Sequence, residues 1–133
     1  MAIERLGSYT ITVEDRPGEL ANVANILKEM GVNLRGLWAF SVGQGRAQII
    51  AVPEDGTRFQ QVAEDASWKI KEGSCFRYTA EDTCGALCET LDQVAADGVN
   101  LQALDAVSVD GRFAVFFWGE EDQTDTLAKA LSV

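Results

Sequence analysis

The spacing of apolar residues switches between two periods along the chain. Two short runs rich in β-branched and aromatic residues, Leu6 to Val13 and Cys75 to Ala80, predict β-strands. Each run is followed by a turn and then by apolar residues at intervals of three and four, the pattern of an amphipathic helix. The apolar stripe consists of Leu20, Val23, Ala24, Leu27 and Met30 in the first stretch, and of Cys84, Leu87, Cys88, Leu91, Val94 and Ala95 in the second.

Glycine and proline mark the ends of these predicted elements. Gly31 and Gly98 follow the two helical stripes, where a residue in the left-handed conformation commonly ends a helix. Pro17 is predicted at the first helical position, because its missing N–H costs nothing there. A hairpin follows each helix, with turn residues that tolerate positive φ. The predicted hairpins pair residues 34–42 with 47–52 and residues 101–109 with 113–118.

A second helix is predicted after each hairpin, and only the first half then offers a fourth strand, at residues 68–71. The order is therefore βαββαβ followed by βαββα. We expect an α+β protein of two ferredoxin-like repeats, with antiparallel sheets, helices on one face and a second repeat that lacks its last strand. The predicted repeats span residues 1–72 and 73–133.

The two halves also match residue by residue. A shift of 67 residues aligns positions 9–43 with 76–110 without a gap and gives 13 identities in 35 positions. One segment of the first copy reads Glu14-Asp15-Arg16-Pro17-Gly18-Glu19-Leu20, and Gly31-Val32-Asn33-Leu34 follows one helix later. The second copy has Glu81-Asp82-Thr83-Cys84-Gly85-Ala86-Leu87 and Gly98-Val99-Asn100-Leu101. The turn before the helix and the asparagine after it are thus the repeated polar features.

These features supply the groups that an α-amino acid ligand requires. Free N–H groups at a helix N-terminus attract a carboxylate, and Gly18 lets a ligand approach the backbone. Asp15 can accept a hydrogen bond from an ammonium group, while Asn33 can donate and accept. The turn and the asparagine lie at opposite ends of the helix, so a shared ligand needs an interface. The plainer interpretation is that the aspartates cap helices and the asparagines support turns.

At these residues the sequence resembles the ACT-domain family, whose βαββαβ modules bind amino acids and regulate amino-acid metabolism. With its repeat, the chain looks like a tandem, stand-alone ACT protein with no catalytic domain. The resemblance implies that Asp15 and Asn33 contact a ligand across an interface, while turn amides near Gly18 take its carboxylate. By the same resemblance Asp82, Gly85 and Asn100 form a second site. The ligand-binding residues expected on this basis are Asp15, Arg16, Pro17, Gly18, Glu19, Leu20, Asn33, Leu34, Asp82, Gly85, Asn100 and Leu101.

Composition narrows the classes of function. The 133 residues carry 11 basic and 21 acidic side chains, a formal charge of −10, and no histidine. Such a charge disfavours nucleic acid and anionic membranes as partners. The lack of histidine excludes Ser-His-Asp and Cys-His catalysis. With neither a signal-peptide pattern nor a membrane-length apolar run, a cytoplasmic location is predicted. Cys84 and Cys88 are expected to be core thiols rather than metal ligands, since no histidine completes a tetrahedral set.

Two functions fit these observations. The first is a non-catalytic sensor that binds a free amino acid between repeats or between chains and regulates a metabolic enzyme, without a cofactor. The alternative is a protein-interaction or oligomerisation module, or a regulatory subunit, with no small-molecule ligand. An exposed sheet edge left by the missing strand would favour this alternative, because unpaired strands recruit other strands. Both functions predict a homodimer.

Overall fold

The computed structural model describes residues 2–133 and divides them into two compact units. The first unit is Gly7–Gly73, and the second unit consists of residues 2–6 together with Ser74–Val133. In chain order the elements are β1 (Ala2–Glu14), α1 (Glu19–Glu29), β2 (Leu34–Gly43), β3 (Arg46–Pro53), α2 (Gly56–Asp65), β4 (Ile70–Glu81), α3 (Cys88–Ala96), β5 (Leu101–Val109), β6 (Arg112–Gly119), a short 3-10 helix (Glu121–Gln123) and α4 (Thr124–Ala130). The predicted α+β class with ACT-like βαββαβ repeats is confirmed.

In the first unit the strand order is β2-β3-β1-β4. β3 pairs antiparallel with both β1 and β2, so β2 is an edge strand. Both helices contribute to the core, which combines Val23 and Leu27 of α1 with Phe59 of α2. Leu20 and Met30 of the predicted first stripe are exposed instead. Tyr9 of β1 stacks on Phe59 with 4.9 Å between ring centroids, and its hydroxyl accepts a 2.7 Å hydrogen bond from Gln60. The buried tyrosine is therefore satisfied at both its ring and its hydroxyl.

The second unit has the equivalent order β1-β4-β6-β5, and its strand from β1 is formed by residues 2–6. Ile3 packs against the core of this unit. Glu4 forms a salt bridge with Arg77 of β4, and Arg5 lies 3.2 Å from the Asp125 carboxylate of α4. Residues 2–6 thus occupy the fourth-strand position beside β4. The division expected from the sequence assigned them to the first repeat, whereas by packing they belong to the second unit.

This arrangement removes one expected feature. From the sequence, an open sheet edge is expected where the second repeat lacks its last strand. In the second unit that edge of β4 is hydrogen-bonded to β1 instead. The edge strand of the second unit is β5, which pairs with β6 on one side.

The two helices that follow the repeated turns end as predicted. α1 ends at Glu29 with Met30 at its C-cap, and Gly31 adopts a left-handed φ of 71°. The Val32 N–H donates to the Leu27 carbonyl at 2.9 Å and the Gly31 N–H to the Lys28 carbonyl at 3.1 Å, which is the Schellman pattern. The end of α3 repeats both bonds, around Gly98 with φ 73°.

The starts of the helices differ from the prediction. α1 begins at Glu19 with Gly18 at its N-cap, so Pro17 lies in the preceding turn rather than at the first helical position. α3 begins only at Cys88. Because residues 84–87 form a turn, the apolar stripe does not continue through them, and Cys84 and Cys88 are exposed instead of buried in the core. The strands predicted at residues 68–71 and 75–80 are parts of one continuous β4.

Replacement of Gly31 by alanine tests the helix ending. A Cβ at Gly31 meets no atom within 4 Å, so Gly31→Ala strains only the backbone at positive φ. We expect about 1 kcal/mol loss in the free energy of unfolding, measured by urea denaturation. Gly73→Ala is the matched control, because its nearest neighbour is the Ser8 carbonyl oxygen at 4.0 Å and its φ is not positive. Equal stability of Gly31→Ala and the natural protein would contradict this account.

Candidate functional site

Each unit contains a cavity that is bordered by its edge strand. In the first unit the cavity lies at the turn between β1 and α1, and in the second unit it lies at the turn between β4 and α3. The first cavity, of about 230 Å³, is lined by Val13, Glu14, Asp15, Arg16, Glu19, Leu20, Ala39, Phe40, Ser41, Ala47 and Ile49. The second cavity, of about 340 Å³, is lined by Asp82, Thr83, Gly85, Ala86, Leu87, Cys88, Ala106, Val107, Ser108, Phe113 and Val115. The repeat alignment relates nine of the eleven lining residues of each cavity, so the cavities are equivalent places in the two units.

The backbone N–H of each aspartate is hydrogen-bonded to a neighbouring hairpin. The Asp15 N–H donates to the Gly45 carbonyl at 2.8 Å, and the Asp82 N–H donates to the Gly111 carbonyl at 2.9 Å. Both glycines lie in hairpin turns with positive φ, which positions their carbonyls toward the aspartate turn. The turn that follows the first strand of each repeat is thereby tied to the tip of the neighbouring hairpin.

A serine of the edge strand completes each aspartate site. The Ser41 hydroxyl donates to Oδ2 of Asp15, and the Ser108 hydroxyl donates to Oδ2 of Asp82. Neither α1 nor α3 has a side-chain cap hydrogen bond, so the aspartates are not acting as helix caps here. These serines were absent from the predicted site. Their identity in both copies, 26 residues after the aspartate each time, was the available signal.

The start of α1 leaves backbone donors near the aspartate. Gly18 occupies the N-cap with φ 91°, a conformation that favours glycine. The N–H groups of the first helical turn have no partner within a helix, and their dipoles favour a negative charge. In the second unit Gly85, with φ 79°, lies directly on the cavity wall, while Leu87 is the N-cap.

The predicted asparagines lie at the other end of the edge strands. The Asn33 side chain donates from Nδ2 to Oε1 of Glu54 at 3.0 Å, and the backbone carbonyl of Asn33 accepts from the Glu54 N–H at 3.0 Å. The Asn100 N–H donates to Oε1 of Gln123 at 3.2 Å. At about 3.3 Å per strand residue, Asn33 is roughly 26 Å along β2 from Ser41. Within one unit the structure therefore brings Asp15 together with Ser41 but not with Asn33.

The remaining predicted residues divide between the same two ends. Arg16, Glu19 and Leu20 line the first cavity, and Gly85 lines the second. Leu34 and Leu101 are the half-buried first residues of β2 and β5, beside the asparagines, and pack against the cores of their units. Pro17 is exposed in the turn next to Gly18.

Arg16 is held by two carboxylates. Its guanidinium lies 2.8 Å from the Glu14 carboxylate, and its Nε donates to Oε1 of Glu19. The hydrogen bond to Glu19 and the negative charge of Glu14 raise the pKa of Arg16 above its ordinary value. The second unit has Thr83 and Ala86 at the positions of Arg16 and Glu19, so it lacks this ion pair.

Both edge strands expose large apolar side chains. Leu37, Phe40 and Val42 of β2 are exposed, as are Leu104, Val107 and Val109 of β5, which reaches 61% exposure at Val109. Phe40 and Val107 also line the two cavities. Exposed apolar side chains on an edge strand, which has no neighbouring strand on one side, are typical of an association surface.

Residues 2–133 contain no cluster of three or more cysteine, aspartate or glutamate side chains arranged to hold a metal ion. None of their helices has the length and apolar character needed to span a membrane.

Comparison with known proteins supports the fold. No family model and no curated protein matches the sequence. Protein BT0572 from Bacteroides thetaiotaomicron has a similar structure, with a TM-score of 0.84 at 16% identity over 98% of this chain and 88% of that one. The regulatory subunit of aspartate kinase from Thermus thermophilus, in its ligand-free form, gives a TM-score of 0.65 at 17% identity over 98% and 93%. The corresponding subunit from Thermus flavus gives 0.61 at 16% identity over 98% and 94%. At such identities the similarity establishes a shared fold.

The three cysteines predict a simple pattern of reactivity. Burial raises the pKa of the Cys75 thiol to about 12, against the opposing influence of Arg77, whereas Cys84 and Cys88 are exposed. Because the thiolate is the reactive form, iodoacetamide at pH 8 should label Cys84 and Cys88 and leave Cys75 unmodified, as read by peptide mass spectrometry. In guanidinium chloride all three should be labelled. Labelling of Cys75 in the folded protein at the rate of the other two would contradict its burial.

Proposed function

We propose that the protein is a non-catalytic sensor that binds a free amino acid at its aspartate turns and regulates amino-acid metabolism. The observation that carries this proposal is the recurrence of one arrangement in both units. Each cavity places a carboxylate, the serine that orients it and the start of a helix beside one another. Duplication alone preserves structural residues too, but here the repeated polar groups line an open cavity.

The chemistry of the cavity fits a zwitterion. The aspartate accepts from the serine through Oδ2. On this proposal Oδ1 accepts from the ligand ammonium group. Charge-assisted hydrogen bonds contribute roughly 1.5–3 kcal/mol each, and the first helical turn attracts the ligand carboxylate with about 0.3–1 kcal/mol. A few such contacts give a dissociation constant between about micromolar and millimolar, the range suited to sensing a metabolite.

A second copy of the chain supplies the part of the site that one unit lacks. In an antiparallel pair the beginning of one strand lies beside the end of the other. Pairing of β2 or β5 with the same strand of a second copy therefore brings the asparagine end of one chain next to the aspartate cavity of the other. The exposed apolar side chains of β2 and β5 favour such an isologous homodimer. On this proposal the ligand contacts both chains.

The regulated partner is proposed to be a metabolic enzyme. The fold is shared with regulatory subunits of aspartate kinase from two Thermus species, and we transfer from them a regulatory rather than a catalytic role. The proposal involves no cofactor, nucleic acid or membrane partner, and the cytoplasmic location stays a prediction from the sequence. Binding at an interface between chains would make the response allosteric, since the ligand shifts the association of the two copies.

A second candidate is an interaction module without a small-molecule ligand. The exposed apolar side chains on both edge strands favour it, because they alone account for association. This candidate predicts the homodimer but no response to amino acids. Ligand binding therefore distinguishes the two.

Isothermal titration calorimetry against the twenty amino acids tests the sensor. At least one amino acid should bind with a dissociation constant of millimolar or tighter. At a concentration 100 times its dissociation constant, that amino acid should raise the free energy of unfolding by about 2.7 kcal/mol. The double variant Asp15→Asn with Asp82→Asn should bind at least tenfold more weakly, because it removes the charge opposite the ammonium group. Asp92→Asn, an exposed α3 position outside both cavities, is the control. A flat titration for every amino acid would reject the sensor in favour of the interaction module.

The homodimer is tested by placing charge on the edge strands. Val42→Lys combined with Val109→Lys should raise the dimer dissociation constant at least tenfold, because a lysine buried without a partner is costly. Met30→Lys changes an equally apolar, exposed position at the end of α1, outside the edge strands, and should leave the dimer intact. Sedimentation equilibrium measures both. A monomeric natural protein, or a lysine pair without effect, would count against edge pairing.

A further inference from the structure

The two cavities lie at equivalent turns of the repeats but carry different charges. The first is lined by three carboxylates and one guanidinium, from Glu14, Asp15, Glu19 and Arg16. The second has Asp82 as its one ionised side chain. Equivalent sites with such different linings are expected to prefer different ligands or to differ in whether they bind at all.

In the first cavity the protein's own side chains occupy the place of a zwitterion. Arg16 bridges Glu14, at the end of β1, and Glu19, in the first turn of α1. The Glu19 carboxylate thus already lies at the helix start, with its side chain only 22% exposed. A ligand carboxylate would meet this like charge, and the ligand ammonium would compete with Arg16 for the carboxylates around it.

The second cavity is the larger of the two and carries fewer charges. Its volume is about 340 Å³ against 230 Å³ for the first. Phe113 stands where the first cavity has Ala47, and Leu87 and Val107 provide further apolar surface. Thr83 and Ala86 replace the ion-paired residues, so neither charge blocks the approach to Asp82 and Gly85. Buried apolar surface of this kind favours an apolar ligand side chain.

We propose that the Asp82 cavity is the amino-acid site of this protein and selects amino acids with aliphatic side chains, while the Arg16–Glu19 ion pair keeps the Asp15 cavity closed to them. This inference rests on the proposed sensor function and adds its location and its ligand class. The Asp82 carboxylate binds the ammonium group, and the apolar wall formed by Leu87, Val107 and Phe113 receives the side chain.

Titration calorimetry with glycine, L-alanine, L-valine, L-leucine, L-lysine and L-aspartate tests the ligand class. Affinity should rise from glycine to L-leucine, by about fourfold for each methylene that is fully buried. L-lysine and L-aspartate should bind at least tenfold more weakly than L-leucine. The stoichiometry with L-leucine should be one per chain.

Exchanging the ion pair between the units tests the location. Thr83→Arg with Ala86→Glu installs the pair in the second cavity and should weaken L-leucine binding at least tenfold. The matched variant, Arg16→Thr with Glu19→Ala, removes the pair that closes the first cavity and should raise the L-leucine stoichiometry from one to two per chain. Asp82→Asn should lose binding, and Asp92→Asn, at an exposed α3 position outside the cavity, should keep it. Circular dichroism and urea denaturation establish that each variant is folded.

Alkylation of the cysteines gives a readout that does not need a variant. Cys88 lines the second cavity and Cys84 does not, although both are exposed. Saturating L-leucine should therefore slow the iodoacetamide labelling of Cys88 at least threefold and leave Cys84 unchanged.

The outcomes separate this inference from the sensor function. Preferential binding of a charged amino acid, or undiminished binding by Asp82→Asn, would overturn the inference and leave the sensor standing. Undiminished L-leucine binding by Thr83→Arg with Ala86→Glu would also overturn it. A failure of every amino acid to bind would reject the sensor function and this inference together.

Discussion

The hydrogen bond from the aspartate N–H to the glycine carbonyl at the hairpin tip is the constraint on which each cavity depends. In the first unit it joins Asp15 to Gly45, and in the second it joins Asp82 to Gly111. Because the hairpin also carries the serine that binds the aspartate carboxylate, the two contacts hold the turn and the edge strand on either side of an open space. Without them the carboxylate would have no fixed direction.

Much of the fold could be predicted because local chemistry and long-range packing agree. Gly31 and Gly98 supply the left-handed residue that ends a helix. Val23, Leu27 and Val94, in the predicted helical stripes, are buried in the cores of the units. The first strand was predicted to begin only at Leu6. Nothing in the spacing of residues 2–6 shows that they belong to a strand and pack beside Arg77.

The site was less predictable than the fold, since spacing along the chain does not reveal which turns meet. Asp15, Asp82 and Gly85, which were predicted from the repeat, line the cavities, whereas Gly18 is the N-cap of α1. Ser41 recurs equally, but it was placed in a strand and assigned no chemistry. Asn33 was expected to meet Asp15 only across an interface, and within a unit the two lie at opposite ends of β2. Cys88 was assigned to the core because the helix was predicted to start too early.

The participation of residues 2–6 in the second unit has a consequence for dissecting the protein. A fragment of residues 73–133 would contain the whole second repeat as predicted from the sequence. In that fragment β4 would still lack the neighbouring strand that residues 2–6 provide. Ile3 would no longer cover the core, and Arg77 would lose its salt-bridge partner. A soluble version of that half therefore needs the first six residues reattached after Val133, as a circular permutant would have them.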